Sequence, residues 1–132
     1  MRARRWAAAG LLLALGFAAA ARPAFVTGDG AEGWMLLWRG QRGEIRFVNS
    51  VTEKPVEIRF RVGRRFEGFS VATDPLTESY YTAGAYALNE LASGEAVEAI
   101  RLCSMRGIDL RVGFHERHVA GGCLEVRLLW TL

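Results

Sequence analysis

Apolar and charged residues alternate one by one along two stretches of this chain. In the stretch 56–62 (VEIRFRV) every second residue is apolar, and the residues between them are Glu57, Arg59 and Arg61. The stretch 124–130 (LEVRLLW) begins in the same way. A period of two places the apolar side chains on one face of a strand and the charged ones on the other. Both stretches therefore predict half-buried strands of an antiparallel sheet, with one face in water.

Weaker copies of this pattern recur along the chain. The further strands are predicted at 34–38, 44–48, 66–71, 80–88, 97–103 and 110–114. Glycines and the Asp74-Pro75 pair separate them as turns. About seven or eight short strands at this spacing predict an all-β domain over residues 34–132, an antiparallel β-sandwich or barrel. The stretch 86–100 is rich in Ala, Leu and Glu, but Gly94 interrupts it, so a short helix or a loop is expected there.

The first 20 residues have the composition of a secretory signal peptide. Three arginines among the first five residues precede an apolar run of 15 residues at 7–21. A helix that crosses a bilayer needs about 20 apolar residues, so cleavage after Ala20 or Ala21 is favoured over a retained membrane anchor. We then expect residues 21–33 to be a loosely ordered leader, and the protein to be periplasmic or extracellular.

The charge of the chain argues against a nucleic-acid partner. It has 17 Lys and Arg against 14 Asp and Glu, a formal net charge of +3. Without the three arginines of the signal peptide, 14 basic and 14 acidic residues remain. The basic residues alternate with Glu along 57–61 and do not gather into the basic patch that phosphate binding needs.

Cys103 and Cys123 are the two cysteines of the chain. Export places them in an oxidising compartment, where a disulfide between them is the first expectation. This bond would close a loop of about 20 residues, for which chain entropy predicts about 3 kcal/mol of stabilisation.

The polar loop 49–55 is the most specific candidate binding site. Asn49 and Ser50 have side chains that readily hydrogen-bond nearby backbone, and Pro55 restarts the chain in an extended geometry. Val51 is expected to pack against the domain. A partner would then touch the residues of the loop tip, which are Thr52, Glu53 and Lys54. The alternative is that this loop only joins two strands.

A second candidate binding surface is the stretch TDPLTESYYTAGAY. Its Tyr80, Tyr81 and Tyr86 lie among small and hydroxylated residues, a composition typical of recognition loops. Side chains alternate along a strand, so at least one of Tyr80 and Tyr81 is expected to belong to the core.

His115 and His118 carry the alternative function, a secreted metal-binding protein or hydrolase. Residues three apart on a strand face opposite sides, so the two imidazoles converge only within a turn. The spacing of metalloprotease histidines and the nucleophile elbow of hydrolases are both missing from the sequence. Asp74 and Glu78 are an acid pair that turn capping explains equally well. We therefore expect exposed turn histidines, no metal, no cofactor and no enzyme activity.

The stretch 45–62 (IRFVNSVTEKPVEIRFRV) resembles a domain-of-unknown-function family of small exported proteins, in which a strand ends in His-Ser-Val and resumes at Pro-Val. Ser50, Val51, Pro55 and Val56 match, whereas Asn49 stands at the family's histidine position. The match covers 18 of 132 residues. Members are typically encoded beside TRAP-type transporters of the class with TAXI solute receptors. The resemblance implies a non-catalytic accessory protein whose partner is a membrane transporter or its solute receptor.

Overall fold

The structure is a computed structural model that describes residues 1–73 and 95–131. In these residues one helix precedes nine strands. They are α1 (Arg2–Ala20), β1 (Ala21–Thr27), β2 (Gly33–Trp38), β3 (Arg42–Val48), β4 (Pro55–Val62), β5 (Phe66–Ala72), β6 (Ala99–Ser104), β7 (Ile108–Val112), β8 (His115–Val119) and β9 (Gly122–Leu128).

The strands form two antiparallel sheets, which confirms the predicted all-β sandwich. The first sheet has the order β2-β1-β9-β6, and the second has the order β5-β4-β3-β7-β8. Their inward faces supply one core, whose buried side chains include Val26, Leu37, Ile45, Ile58, Phe66, Leu110 and Val126. The two stretches with the clearest alternation fall on β4 and β9, and their apolar residues face this core because each strand has one dry face.

Residues 21–27 are an inner strand, so the expectation of a loosely ordered leader over 21–33 is wrong. Strand β1 pairs with both β2 and β9, and its Ala24 and Val26 are fully buried. The Pro23 carbonyl accepts a hydrogen bond from Leu129, just beyond the end of β9. Pro23 therefore lies at the end of the ladder between β1 and β9, where a missing donor costs less than inside a ladder.

The histidine segment is also a strand and not the expected exposed turn. Strand β8 is the edge of the second sheet, and it lies beside β2, the edge of the first. His115 Nε2 donates to the Leu36 carbonyl at 3.1 Å, and Arg117 donates to the Trp34 carbonyl at 3.3 Å. These side chains cover carbonyl groups that an edge strand otherwise leaves open to another chain.

Some predicted elements fall partly or wholly outside the described residues. The predicted strand 80–88 lies outside them, as do residues 86–94 of the predicted short helix or loop. From 97 onward the chain is extended, because Val97 bridges Phe66 before β6 begins.

The predicted disulfide between Cys103 and Cys123 is present. The two residues lie directly opposite each other on β6 and β9, with a sequence separation of 20. Between them the chain crosses to the second sheet, forms β7 and β8, and returns. The bond therefore closes the segment that links the two layers of the sandwich.

The strands place their connections at two opposite ends of the sandwich. At the helix end α1 enters, because Ala21 at the start of β1 lies opposite Trp38 at the end of β2. The turns at 39–41, 63–65 and 113–114 lie at this same end. The distal end carries the connections 28–32, 49–54, 105–107 and 120–121.

Candidate functional site

Loop 49–54 joins β3 to β4 at the distal end, and its backbone closes on itself. The Asn49 amide donates to the Lys54 carbonyl at 2.9 Å, and the Glu53 amide donates to the Asn49 carbonyl at 2.8 Å. The second of these bonds spans four residues, like a single helical turn that is not continued. The loop is thus a compact closed turn and not an open connection.

The side chain of Asn49 fixes the interior of this turn. It is only 5% exposed, and its Oδ1 accepts hydrogen bonds from the amides of Val51 at 2.8 Å and Thr52 at 2.9 Å. An asparagine that bonds the backbone two residues ahead imitates a backbone turn. The expected structural role of Asn49 is therefore confirmed.

Glu53 holds an uncommon backbone conformation at the tip of the loop. Its φ is 59°, in the left-handed region, and within the described parts of the chain it is the one non-glycine residue with a positive φ. Such a conformation costs free energy and persists where the surroundings impose it, which often occurs at binding sites. Here the surroundings include the short backbone bond to Asn49 and a side-chain ion pair with Arg106.

The ion pair of Glu53 with Arg106 joins loop 49–54 to the neighbouring β6–β7 turn. Ser104, at the end of β6, also donates its hydroxyl to the Val48 carbonyl at 3.4 Å. Loop 49–54 belongs to the second sheet and the β6–β7 turn links the first sheet to the second, so these contacts form one surface across the end of the sandwich. We call residues 50–54 and 105–106 the distal surface.

Two expectations for this loop are wrong. Val51 does not pack against the domain but is 62% exposed, because the turn that closes around Asn49 directs it outward. Ser50 does not fix the loop, since it is exposed and its hydroxyl has no hydrogen bond to any residue that the structure describes. Pro55 begins β4 opposite Val48, as expected.

The distal surface combines exposed apolar side chains with charged neighbours. Val51 is joined there by Met105, which is 85% exposed in the β6–β7 turn. The surrounding side chains include Glu53, Lys54 and Arg106. Sequence reasoning missed Met105, although a methionine between Ser and Arg in a short turn was a usable signal. Single exposed apolar residues are common at protein surfaces. The informative features are that Val51 lies on a closed turn and that Met105 lies in the turn whose Arg106 pairs with Glu53.

The tyrosine-rich segment is the second predicted binding surface. Tyr80, Tyr81 and Tyr86 lie outside the described residues, as do Asp74 and Glu78. The chain enters that segment at Thr73, whose hydroxyl donates to the Pro55 carbonyl at 3.0 Å. The segment therefore leaves the described domain directly beside the end of the candidate loop.

The two histidines point away from each other. His115 faces the edge of β2, whereas His118 lies on the outer face of the second sheet with its Nδ1 2.6 Å from the Asp109 carboxylate. Among residues 1–73 and 95–131 no group of three His, Cys, Asp or Glu side chains is arranged to hold a metal ion. The two imidazoles therefore do not converge on one site, as a metal-binding protein or hydrolase that uses both histidines would require.

The outer face of the second sheet carries a shallow depression of about 300 Å³ beside His118. Strand register places charges of alternating sign in rows across this face. One row is Arg59, Glu44, Arg111 and Glu116, and the next is Glu57, Arg46, Asp109 and His118. Because neighbouring charges pair with one another, the depression offers a ligand little unmatched charge, and exposed pairs of this kind contribute little to stability.

Comparison with protein-family models, with curated proteins and with solved structures finds no match for this chain. The resemblance of residues 45–62 to the exported family therefore stays a prediction.

Proposed function

We propose that this chain is a non-catalytic exported binding protein and that its distal surface binds a protein partner. The observation that carries the proposal is the closed loop 49–54. It is fixed from inside by the buried Asn49 and yet presents Val51 outward. A turn whose only task was to connect β3 with β4 would not require an exposed valine or a glutamate in the left-handed region.

A pre-formed loop favours binding because little conformational freedom is lost when a partner docks. In the distal surface this freedom is already restricted by the hydrogen bonds of Asn49 and by the ion pair between Glu53 and Arg106. Small apolar centres surrounded by charged groups are the usual composition of protein interfaces. Val51 and Met105 supply such a centre, and the charged side chains next to them supply the rim.

The shape of the surface favours a protein over a small molecule. Small ligands are held in concave pockets that bury most of their surface. The loop is instead a compact turn that exposes Val51 at the end of the sandwich, which suits a groove on another protein. The resemblance of residues 45–62 suggests the class of partner, a membrane transporter or its solute receptor. The apolar helix α1 and the disulfide support export.

The test is the capture of one identified partner by full-length protein and by surface variants. The partner is first identified by cross-linking in membranes of the source cell, then purified and titrated against each variant. We expect Val51→Glu to weaken binding about tenfold or more, since burying an unpaired carboxylate costs at least about 1.4 kcal/mol. The triple variant Thr52→Ala, Glu53→Ala, Lys54→Ala is expected to fold normally and to lose the partner as well.

Val71→Glu is the matched control for the valine substitution. Val71 is also partly exposed, at 36%, but it lies on β5. This variant should keep the affinity of the wild type. If Val51→Glu and the triple variant bind the partner as tightly as the wild type does, the distal surface is not the binding site. The tyrosine-rich segment 77–86 then becomes the better candidate.

A further inference from the structure

Helix α1 joins the β domain without a linker. Ala20 ends the helix, and Ala21 begins β1 and is fully buried. The backbone amide of Arg39 donates to the Ala20 carbonyl at 2.8 Å, so the last turn of the helix is bonded to the β2–β3 turn. The orientation of the helix end is therefore tied to the sandwich.

Two side chains of the domain bind the carbonyl groups at the end of α1. Trp130 Nε1 donates to Ala18 at 3.2 Å and to Ala21 at 2.9 Å. The Arg22 guanidinium also bonds the Ala21 carbonyl at 2.9 Å, and its Nε donates at 3.2 Å to the Gly63 carbonyl in the turn between β4 and β5. The last carbonyl groups of a helix have no partners within the helix, so these contacts satisfy part of that need. If α1 were removed, Trp130 would lose the Ala18 carbonyl as a hydrogen-bond acceptor.

An aromatic ring of α1 contacts an aromatic ring of the domain. Phe17, in the last turn of the helix, meets Trp38 edge to face with 5.3 Å between the ring centroids. Around this contact the helix end of the sandwich exposes Leu129 at 47% and Phe114 at 101%. We call the exposed groups at this end, Trp38, Arg39, Arg64, Phe114 and Leu129, together with the half-buried Trp130, the helix-end surface.

The helix-end surface is also basic. Arg39 and Arg64 are exposed on it, and Arg22 lies buried between them and the core. Burial, and then the positive charges of Arg39 and Arg64, lower the pKa of Arg22. Tryptophan rings and arginines side by side have the composition of protein surfaces at the level of lipid headgroups, where anionic phosphates attract basic side chains.

The length of α1 sets where this surface lies relative to a bilayer. The helix is long and apolar enough by composition to cross a membrane, and none of its residues is buried in the domain. The continuous apolar run within α1, residues 7–20, has 14 residues and is short, spanning about 21 Å against about 30 Å of hydrocarbon. A short segment thins the bilayer and draws its flanking groups to the interface. Because no linker separates α1 from β1, a bilayer that holds α1 must touch the helix-end surface.

We propose that α1 is retained as a membrane segment and that the helix-end surface rests on the phospholipid headgroups, with Trp38 and Trp130 at the interface. Sequence composition favoured cleavage after Ala20 or Ala21. The folded structure instead holds both sides of those peptide bonds, through Arg39 at Ala20 and through Trp130 and Arg22 at Ala21.

Tryptophan fluorescence in vesicles tests this placement. The full chain is reconstituted into phosphatidylcholine vesicles that contain about 30% phosphatidylglycerol, with and without bromine on the acyl chains close to the headgroups. Trp6 lies in α1 and is replaced by phenylalanine in every sample. Bromine quenches only rings at the bilayer, so we expect strong quenching from Trp38 and Trp130.

Trp34 offers a matched control for Trp38. It lies on the same face of β2, four residues or about 13 Å nearer the distal end, and it is 66% exposed. Trp38→Phe should lower the quenched fraction, whereas Trp34→Phe should raise it, so the two variants should differ about twofold if the rings emit equally. Arg39→Glu with Arg64→Glu should reduce the quenching in anionic vesicles.

Three results would overturn the proposal. The first is a mass, for protein purified from membranes, that lacks the first 20 or 21 residues. The second is equal quenching in the Trp38→Phe and Trp34→Phe variants, which would mean that the helix-end surface does not face the lipid. The third is no quenching beyond background in vesicles without other proteins, which would assign this surface to a membrane protein partner and not to lipid.

Discussion

Replacing Asn49 by alanine removes one acceptor that two backbone amides share. The amides of Val51 and Thr52 lie 2.8 Å and 2.9 Å from Oδ1, and Asn49 itself is 5% exposed. A hydrogen bond contributes about 0.5–1.5 kcal/mol net. Water can reach the amides of this surface turn after the substitution, so the loss should lie nearer the lower limit for each bond. We expect Asn49→Ala to reduce the free energy of unfolding by about 1–2 kcal/mol.

Urea unfolding of the oxidised protein, followed by circular dichroism, measures this change. A loss of 1 kcal/mol also lowers the Tm of a domain of this size by roughly 4–8 °C. Asn49→Asp keeps an acceptor oxygen and should lose less stability than Asn49→Ala. Ser50→Ala removes a hydroxyl that has no hydrogen bond to the described residues 1–73 and 95–131, and it should change the free energy of unfolding by no more than about 0.5 kcal/mol. The reasoning is refuted if Asn49→Ala is as stable as Ser50→Ala, or if Asn49→Asp is as unstable as Asn49→Ala.

Two further predictions concern the sandwich itself. A Cβ on Gly43 would overlap the ring of Phe60, so Gly43→Ala should force that ring aside and reduce the free energy of unfolding in urea by about 1–3 kcal/mol; unchanged stability would show that the ring moves freely. Replacing both Cys103 and Cys123 by serine should cost about 3 kcal/mol, and wild type unfolded under reducing conditions should match the variant; a wild type that is equally stable when reduced would contradict the chain-entropy argument.

The strands that could be predicted most accurately from the sequence are those with one face in water and the other in the core. Strands β4 and β9 alternate cleanly because each buries every second side chain against the other sheet. Strand β1 was missed for the opposite reason. Its apolar residues continue the run of α1 without a break, and Arg22 and Pro23 look like the end of a signal peptide. Nothing local shows that Arg22 lies fully buried, with its guanidinium bonded to the backbone carbonyls of Ala21 in β1 and of Gly63 in the β4–β5 turn.

Strand β8 was missed because its sequence, HERHV, has a single buried apolar residue, Val119. His115 and Arg117 face the edge of β2 and not the core. The alternation of apolar and polar residues that marks a half-buried strand is therefore absent from residues 115–118. An edge that is closed by side chains from the other sheet depends on contacts about 80 residues apart, which no local pattern reports.

The candidate site was predicted in part. Residue type indicated the role of Asn49, since asparagine commonly bonds a turn from inside. The outward direction of Val51 depends on how the whole turn closes, and the left-handed conformation of Glu53 occupies a position where glycine or asparagine is usual. The contact between Glu53 and Arg106 joins loop 49–54 to a turn that is 53 residues away in the sequence. These features arise from tertiary structure and lie beyond the reach of local sequence reasoning.

The two proposed surfaces lie at opposite ends of the sandwich, and this arrangement selects among partners. Strand β4 runs from the distal end to the helix end and has 8 residues, which span about 26 Å. With the helix-end surface on the headgroups, Val51 would stand roughly this far from the bilayer. The membrane-embedded part of a transporter could not reach the loop tip at that height. An exported solute receptor could do so, because it approaches from the aqueous side, and of the two partner classes it is therefore the one that fits both surfaces together.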